Sequence, residues 1–322
     1  MKQSKTFAIG IDVGATTIKG GTVEANGNIV HQVTLDTKAN KGPTVVLKQM
    51  TLAIQELLSR HKPTECYGIG IGSPGVVMIE DGSVHYPPNF SDWQEVQVTK
   101  AIRKVFPFPV FIENDANCAA IAEAKYGAGK DFKNFLFIIW GTGVGGGIIL
   151  DKKIYRGPYG GAGEVGHVSI DYNGRLCNCG NHGCIESYIG QRYLSERTKE
   201  ILQSMQDDEP RSIIDSLTQG NREKIEPAII ARAAEMGDSK AREILEEAGE
   251  LLGCALASVM NVLDLRVAVI GGGISASPAF VFTAIDNSLK NRVLTPHRAG
   301  IRVVRAMLGN SAGIIGAASL VL

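Results

Sequence analysis

Two stretches of this chain, about 130 residues apart, follow one plan: residues 9–21 and 138–150 each read as an apolar strand, a polar glycine-rich turn and a second strand. The repeat is weak residue by residue. It constrains the fold because such turns gather backbone N–H groups and small hydroxyls between antiparallel strands, where they can cradle phosphates. Two such units predict two related domains facing one cleft. The length, 322 residues, also suits about two domains. Apolar residues make up 44% and charged residues 20%, enough for a soluble chain with a sizeable core. Lys+Arg and Asp+Glu are equal at 33 each, which argues against a broad footprint for nucleic acid or an anionic membrane. The 38 glycines cluster, so they mark loops rather than disorder.

Strands and helices alternate along the whole chain, which makes the class α/β. Strands are expected at 7–12, 18–23, 67–71, 110–113, 135–140 and 266–270, and helices at 45–60, 116–126, 241–259 and 277–290. Asp207, Asp208 and Pro210 mark a surface loop. The Ala/Gly-rich run 311–320 needs a surface to cover. The expected domains are 1–113 plus 310–322, the smaller, and 114–309, the larger, with the cysteine-rich loop. No signal peptide or membrane span is legible, so the chain is expected in the cytoplasm. There, disulfides are rare. Cys66, Cys118 and Cys254 stand singly among apolar residues and read as core packing.

The glycine motifs need care. Gly70, Gly72 and Gly75 match G-x-G-x-x-G, as do Gly141, Gly143 and Gly146. Both are followed by strand-like runs rather than helices, so a nicotinamide fingerprint fails. Gly271, Gly272 and Gly273 follow a strand and precede a helix, which favours close approach of a nucleotide to bare backbone over a simple turn. Asp12, Gly14, Thr16, Thr17 and Lys19 are more specific. An acid ending a strand can hold hydrated Mg²⁺ near a triphosphate, while Thr16 and Thr17 can donate to phosphate oxygens. With Gly141, Thr142 and Gly143 opening the second glycine loop, the chain reads as having two phosphate loops.

The sharpest signal is His167, Cys177, Cys179 and Cys184. Three thiolates and an imidazole at this spacing suit a closed, structural tetrahedral zinc. A C-x-C disulfide would be strained. His182 is a possible substitute ligand but is cramped against Cys184. The run Glu113-Asn114-Asp115-Ala116-Asn117 joins a strand to a helix. Asn114 or Asp115 is either the helix N-cap or, for Asp115, a general base at the carboxyl end of a strand. Glu164, His167 and Glu186 flank the cysteine loop and can bind sugar hydroxyls. Asn89, Glu113 and Trp93 are further candidates, with turn or packing roles as alternatives.

These motifs, with Gly72-x-Pro74-Gly75 and Glu164-x-Gly166-His167, resemble the ROK family (repressor, open reading frame, kinase), in family order over nearly the whole chain. The resemblance implies an actin-like ATPase (ribonuclease H-like) fold, two α/β domains around a cleft. It implies ATP-dependent phosphorylation of a hexose hydroxyl, with glucose expected. N-acetylmannosamine, fructose, allose or another hexose is the alternative, as is a non-catalytic sugar-sensing repressor. ATP with Mg²⁺ and structural Zn²⁺ follow as cofactors. Asp115 would be the base. Gly75, Asn89, Asn114, Asp115, Glu164, His167 and Glu186 would meet the sugar, with His167 bridging zinc and sugar through its two ring nitrogens. Asp12, Gly14, Thr16, Thr17, Lys19, Gly141, Thr142, Gly143, Gly271, Gly272 and Gly273 would meet the nucleotide. Nucleic acid and membrane are not expected as partners; a homodimer or higher homo-oligomer is.

Overall fold

The computed structural model describes residues 5–205 and 211–322. The loop expected at Asp207, Asp208 and Pro210 lies outside the described residues. The chain divides into two units: residues 1–133, 147–163 and 307–322, and residues 134–146 and 164–306. The expected boundary after Glu113 does not coincide with this division, and the two units are similar in size.

The first unit is built on a five-stranded sheet, β1 (Phe7–Val13), β2 (Thr17–Glu24), β3 (Ile29–Asp36), β4 (Cys66–Ser73) and β8 (Val110–Asn114), in the order β3-β2-β1-β4-β8. Residues alternate between faces along a strand. Ile9, Ile11, Ile69 and Ile71 share a core with Val46, Met50, Ile54 and Leu57 of helix α1 (Pro43–Ser59). Gly10 and Gly70 lie on the other face, under helix α10 (Ala312–Ser319). A Cβ on Gly10 would sit 2.0 Å from the Ile314 carbonyl oxygen, so bare backbone lets the helix lie directly on the sheet. That contact gives the Ala/Gly-rich C-terminal run its surface. Gly316 of α10 lies as closely against Cys118 of α3 (Asp115–Tyr126). This packing carries α3, and with it Asn114 and Asp115, into the first unit.

Glu123, fully buried on α3, accepts the N–H groups of Ala128, Met307 and Leu308. It fastens the returning chain at the point where it re-enters this unit. A small sheet, β5 (Val76–Met78), β6 (Ser83–His85) and β7 (Glu95–Val96), precedes the short α2 (Val98–Arg103). The sequence reading missed β6, β7 and α2, which are too short to show a period.

In the second unit β9 (Phe135–Trp140) and β13 (Arg302–Arg305) lie parallel on either side of β12 (Val267–Gly271). Strand β10 (Val144–Leu150) begins in this unit and continues into the first, where it pairs with β11 (Lys153–Tyr155). The glycine loop is therefore shorter than expected, because Gly145, Gly146 and Gly147 already belong to β10. The helices are α4 (Glu186–Ile189), α5 (Gln191–Ser204), α6 (Ile213–Leu217), α7 (Pro227–Glu235), α8 (Ser239–Leu263) and α9 (Ala279–Arg292). Gly249 and Gly253 let α8 close onto α9. Cys66 and Cys118 are buried as expected, but Cys254 is only half-buried. Among the described residues no helix is long and apolar enough to cross a membrane.

Candidate active site

In the first unit the turn between β1 and β2 is held by its own backbone. Gly14 N–H donates to the Thr17 carbonyl, and the Thr37 hydroxyl donates to the Gly14 carbonyl at 2.6 Å. Asp12 pairs in register with Lys19. Burial, and then the nearby Asp115 carboxylate, raise the Asp12 pKa from 3.8 to about 6, with Lys19 opposing. Asp12 also packs against Gly313 at the start of α10, where a Cβ would sit 2.6 Å from its carboxylate. Thr16 is exposed and Thr17 half-buried.

Beside this turn, β8 delivers the chain into α3. Asn114 is the N-cap: its Oδ1 accepts the N–H groups of Ala116 and Asn117. Its Nδ2 donates to the carbonyl of Gly75 at 3.3 Å. Gly75 holds φ at 91°, and a Cβ there would meet the His85 carbonyl and Pro87, so only glycine suits the position. Capping therefore falls to Asn114. Asp115 follows as the first helical residue, its Oδ1 accepting the Ala116 N–H at 2.8 Å. Glu113 is not a sugar ligand. It is almost fully buried, and both its oxygens are occupied by Asn114 N–H, Asn117 Nδ2 and Arg156 Nε. Trp93 is packing: it is buried, edge-on to Phe90, and donates to the Val84 carbonyl. Asn89 is exposed in a left-handed turn with φ 67°.

In the second unit two glycine loops lie together at the carboxyl ends of the parallel neighbours β9 and β12. A Cβ on Gly141 would come 3.8 Å from Gly273 N, and one on Gly272 would strike the Trp140 backbone. The first of these loops takes support from outside itself. Gln191 N–H donates to the carbonyls of Gly141 and Thr142, and Glu186 Oε2 accepts the Val144 N–H at 2.9 Å. Gly143 has no room for a side chain beside that carboxylate. Glu186, read from the sequence as a sugar ligand, thus braces the Gly141 loop.

His167, Cys177, Cys179 and Cys184 bring one donor atom each within 4.8 Å of the others. Cys177 Sγ lies 3.7 Å from His167 Nδ1, and Cys179 Sγ lies 3.7 Å from Cys184 Sγ. A tetrahedral zinc with bonds of about 2.3 Å to sulfur needs edges of about 3.8 Å, so the donor set fits the metal. His167 Nε2 is directed elsewhere, 4.0 Å from Glu164. Burial pushes the Cys184 thiol up to about 12, while the Asn181 N–H lowers Cys179. His182 is not a ligand: it is exposed, with Nδ1 2.9 Å from the Gly174 carbonyl oxygen.

The model of the ROK family matches residues 8–322. A glucokinase of Thermotoga maritima is 32% identical, with 98% of each chain covered. The crystal structure of a ROK family glucokinase from Streptomyces griseus, in complex with glucose and AMPPNP, superposes with a TM-score of 0.84 at 31% identity, covering 98% of each chain. A xylose repressor of Bacillus subtilis is 29% identical over 98% of this chain and 77% of its own length.

Proposed function

The chain belongs to the ROK family and has its actin-like ATPase fold, and on that premise we propose that it phosphorylates a hexose hydroxyl with ATP, glucose being the preferred sugar. The observation that carries this reading is the Asp12–Asp115 pair. Two carboxylates near enough for one to raise the other's pKa form a place where a cation is welcome. Beside them stand a turn with threonine hydroxyls and Lys19, suited to MgATP, which is a co-substrate here. A sugar sensor has no need of such a pair.

Phosphoryl transfer requires chiefly positioning and neutralisation of charge. Asp115 accepts the proton of the sugar hydroxyl as its oxygen bonds to the γ-phosphorus. The bond from that phosphorus to the bridging oxygen breaks, giving ADP and the sugar phosphate. Asn114 still has an Nδ2 hydrogen to offer the sugar, beyond the one given to Gly75. Glu164, His167 and Glu186 supply the second unit's sugar ligands, with Gly75 and Asn89 from the first. Asp12, Gly14, Thr16, Thr17 and Lys19 serve the phosphates from the first unit. Gly141, Thr142, Gly143, Gly271, Gly272 and Gly273 serve the nucleotide from the second. His167, Cys177, Cys179 and Cys184 would hold a structural zinc, which would fix the His167 ring with Nε2 left for the sugar and would supply no chemistry to the transfer.

The same reading puts the protein in the cytoplasm as a homodimer or higher homo-oligomer without nucleic acid, which light scattering during gel filtration checks. The activity is tested with a hexose panel in a coupled ADP-release assay. Glucose should give the highest kcat/KM, above N-acetylmannosamine, fructose and allose. ADP release with none of these sugars would refute the kinase reading, and a better sugar than glucose would refute the specificity.

A further inference from the structure

Arg156 has no part in the motifs read from the sequence, yet its Nε donates to Glu113 Oε2 at 2.6 Å. Glu113 is 2% exposed. Its other oxygen accepts two donors from the turn that presents Asp115: Asn114 N–H at 2.9 Å and Asn117 Nδ2 at 3.0 Å. The carboxylate thus grips the residue before Asp115 and the residue two after it. Removing one partner of a buried ion pair is strongly destabilising, because the other charge is left uncompensated. Asn117 depends on that grip: its Oδ1 is buried without a hydrogen bond, 3.3 Å from where a Cβ on Gly147 would stand. Nothing else among its described bonds holds the Asn117 amide in this orientation. Arg156 also opens the segment that leads to Glu164.

We propose that Arg156 and Glu113 are positioning residues for phosphoryl transfer, an ion pair that holds the turn from which Asn114 and Asp115 project. This rests on the kinase reading. Without the guanidinium, Glu113 loses the partner that fixes Oε2 and can turn away from the turn it holds. That change costs an acceptor for Asn114 or Asn117, and Asp115 is no longer held at its place. Misplacement of a reacting group by about 1 Å is worth roughly 10²-fold in rate.

The test compares Arg156→Met, Arg156→Lys and Glu113→Gln with the wild type, by steady-state kinetics and by amide hydrogen exchange at residues 114–117. Arg156→Met should lower kcat by roughly tenfold or more, leave KM for ATP unchanged, and speed exchange in the turn. Arg156→Lys keeps a cation and should recover most of both. Wild-type kcat and exchange in folded Arg156→Met would overturn the proposal, and so would Arg156→Lys behaving no better than the methionine variant. If Arg156→Met does not fold, Glu113→Gln decides in the same way: slow turnover with fast exchange supports the pair, wild-type values overturn it. Should the wild type phosphorylate no hexose, the kinase reading fails, but the exchange arm still shows whether the pair holds the turn.

Discussion

The cysteine knuckle and the Glu-Asn-Asp turn both hold a polar side chain in place, and they do so by opposite means. The knuckle is local. Its three cysteines fall within eight residues, and their geometry suits one metal ion. The turn is assembled from far along the chain: Gly75 receives Asn114, and Arg156 neutralises Glu113. The knuckle should therefore fail all at once when its metal goes, whereas the turn should fail by degrees as single bonds are removed.

The largest effect is expected from zinc. A structural zinc site contributes on the order of 10 kcal/mol, so Cys179→Ser should empty the site and unfold much of the second unit. Metal analysis and thermal unfolding check this; an active protein with no zinc contradicts it. Binding requires thiolates, and Cys184 is pushed up to about 12 in the metal-free site. Zinc should accordingly be retained more tightly as pH rises and released as it falls toward 5.

Glu123→Gln should be the next in size. It leaves a buried N–H group facing an amide N–H instead of a carboxylate, a loss of about 2–4 kcal/mol, read as a lower Tm with zinc content unchanged. A Tm equal to the wild type would show that the three N–H groups do not need the charge.

Asp12→Asn should move stability the other way. The folded-state pKa of Asp12 is raised from 3.8 to about 6, so the folded protein holds the proton more tightly than the unfolded chain. Stability then falls as pH rises between about 4 and 6, and the full deficit is present above 6. Removing the charge should stabilise the metal- and nucleotide-free protein by about 3 kcal/mol at pH 7, with no gain below pH 4, while turnover collapses. Unfolding at the two pH values in the presence of a chelator checks the sign; an equal shift at both would contradict it.

The contrast also explains what could be read in advance. The Cys₃His cluster, the Asp12 turn and the Gly141 loop are legible because each is a short run with its chemistry inside it. The strand–turn–strand repeat was equally plain, and β1, β4, β9 and β12 all lay near where their apolar runs stood. Arg156 was not legible: it lies 43 residues from Glu113 in sequence, and only the fold brings them together. Glu186 was seen as a ligand but not as the brace of Val144, because that bond spans 42 residues. That α3 falls in the first unit is not legible after Glu113, because the packing of α3 against α10 depends on Gly316 meeting Cys118, a contact between distant segments.

The most direct test of the account is the turnover of Asp115→Asn. Asn114 already caps the helix, and asparagine is as good as aspartate in the first turn's hydrogen bonding, so fold and zinc should be untouched. Asparagine cannot take the proton from the sugar hydroxyl. The expected result is a fall in kcat of roughly 10²–10⁴-fold, with glucose affinity, measured by calorimetry, changed far less. Turnover near the wild type, with zinc and Tm intact, would remove Asp115 from the reaction and contradict the central claim.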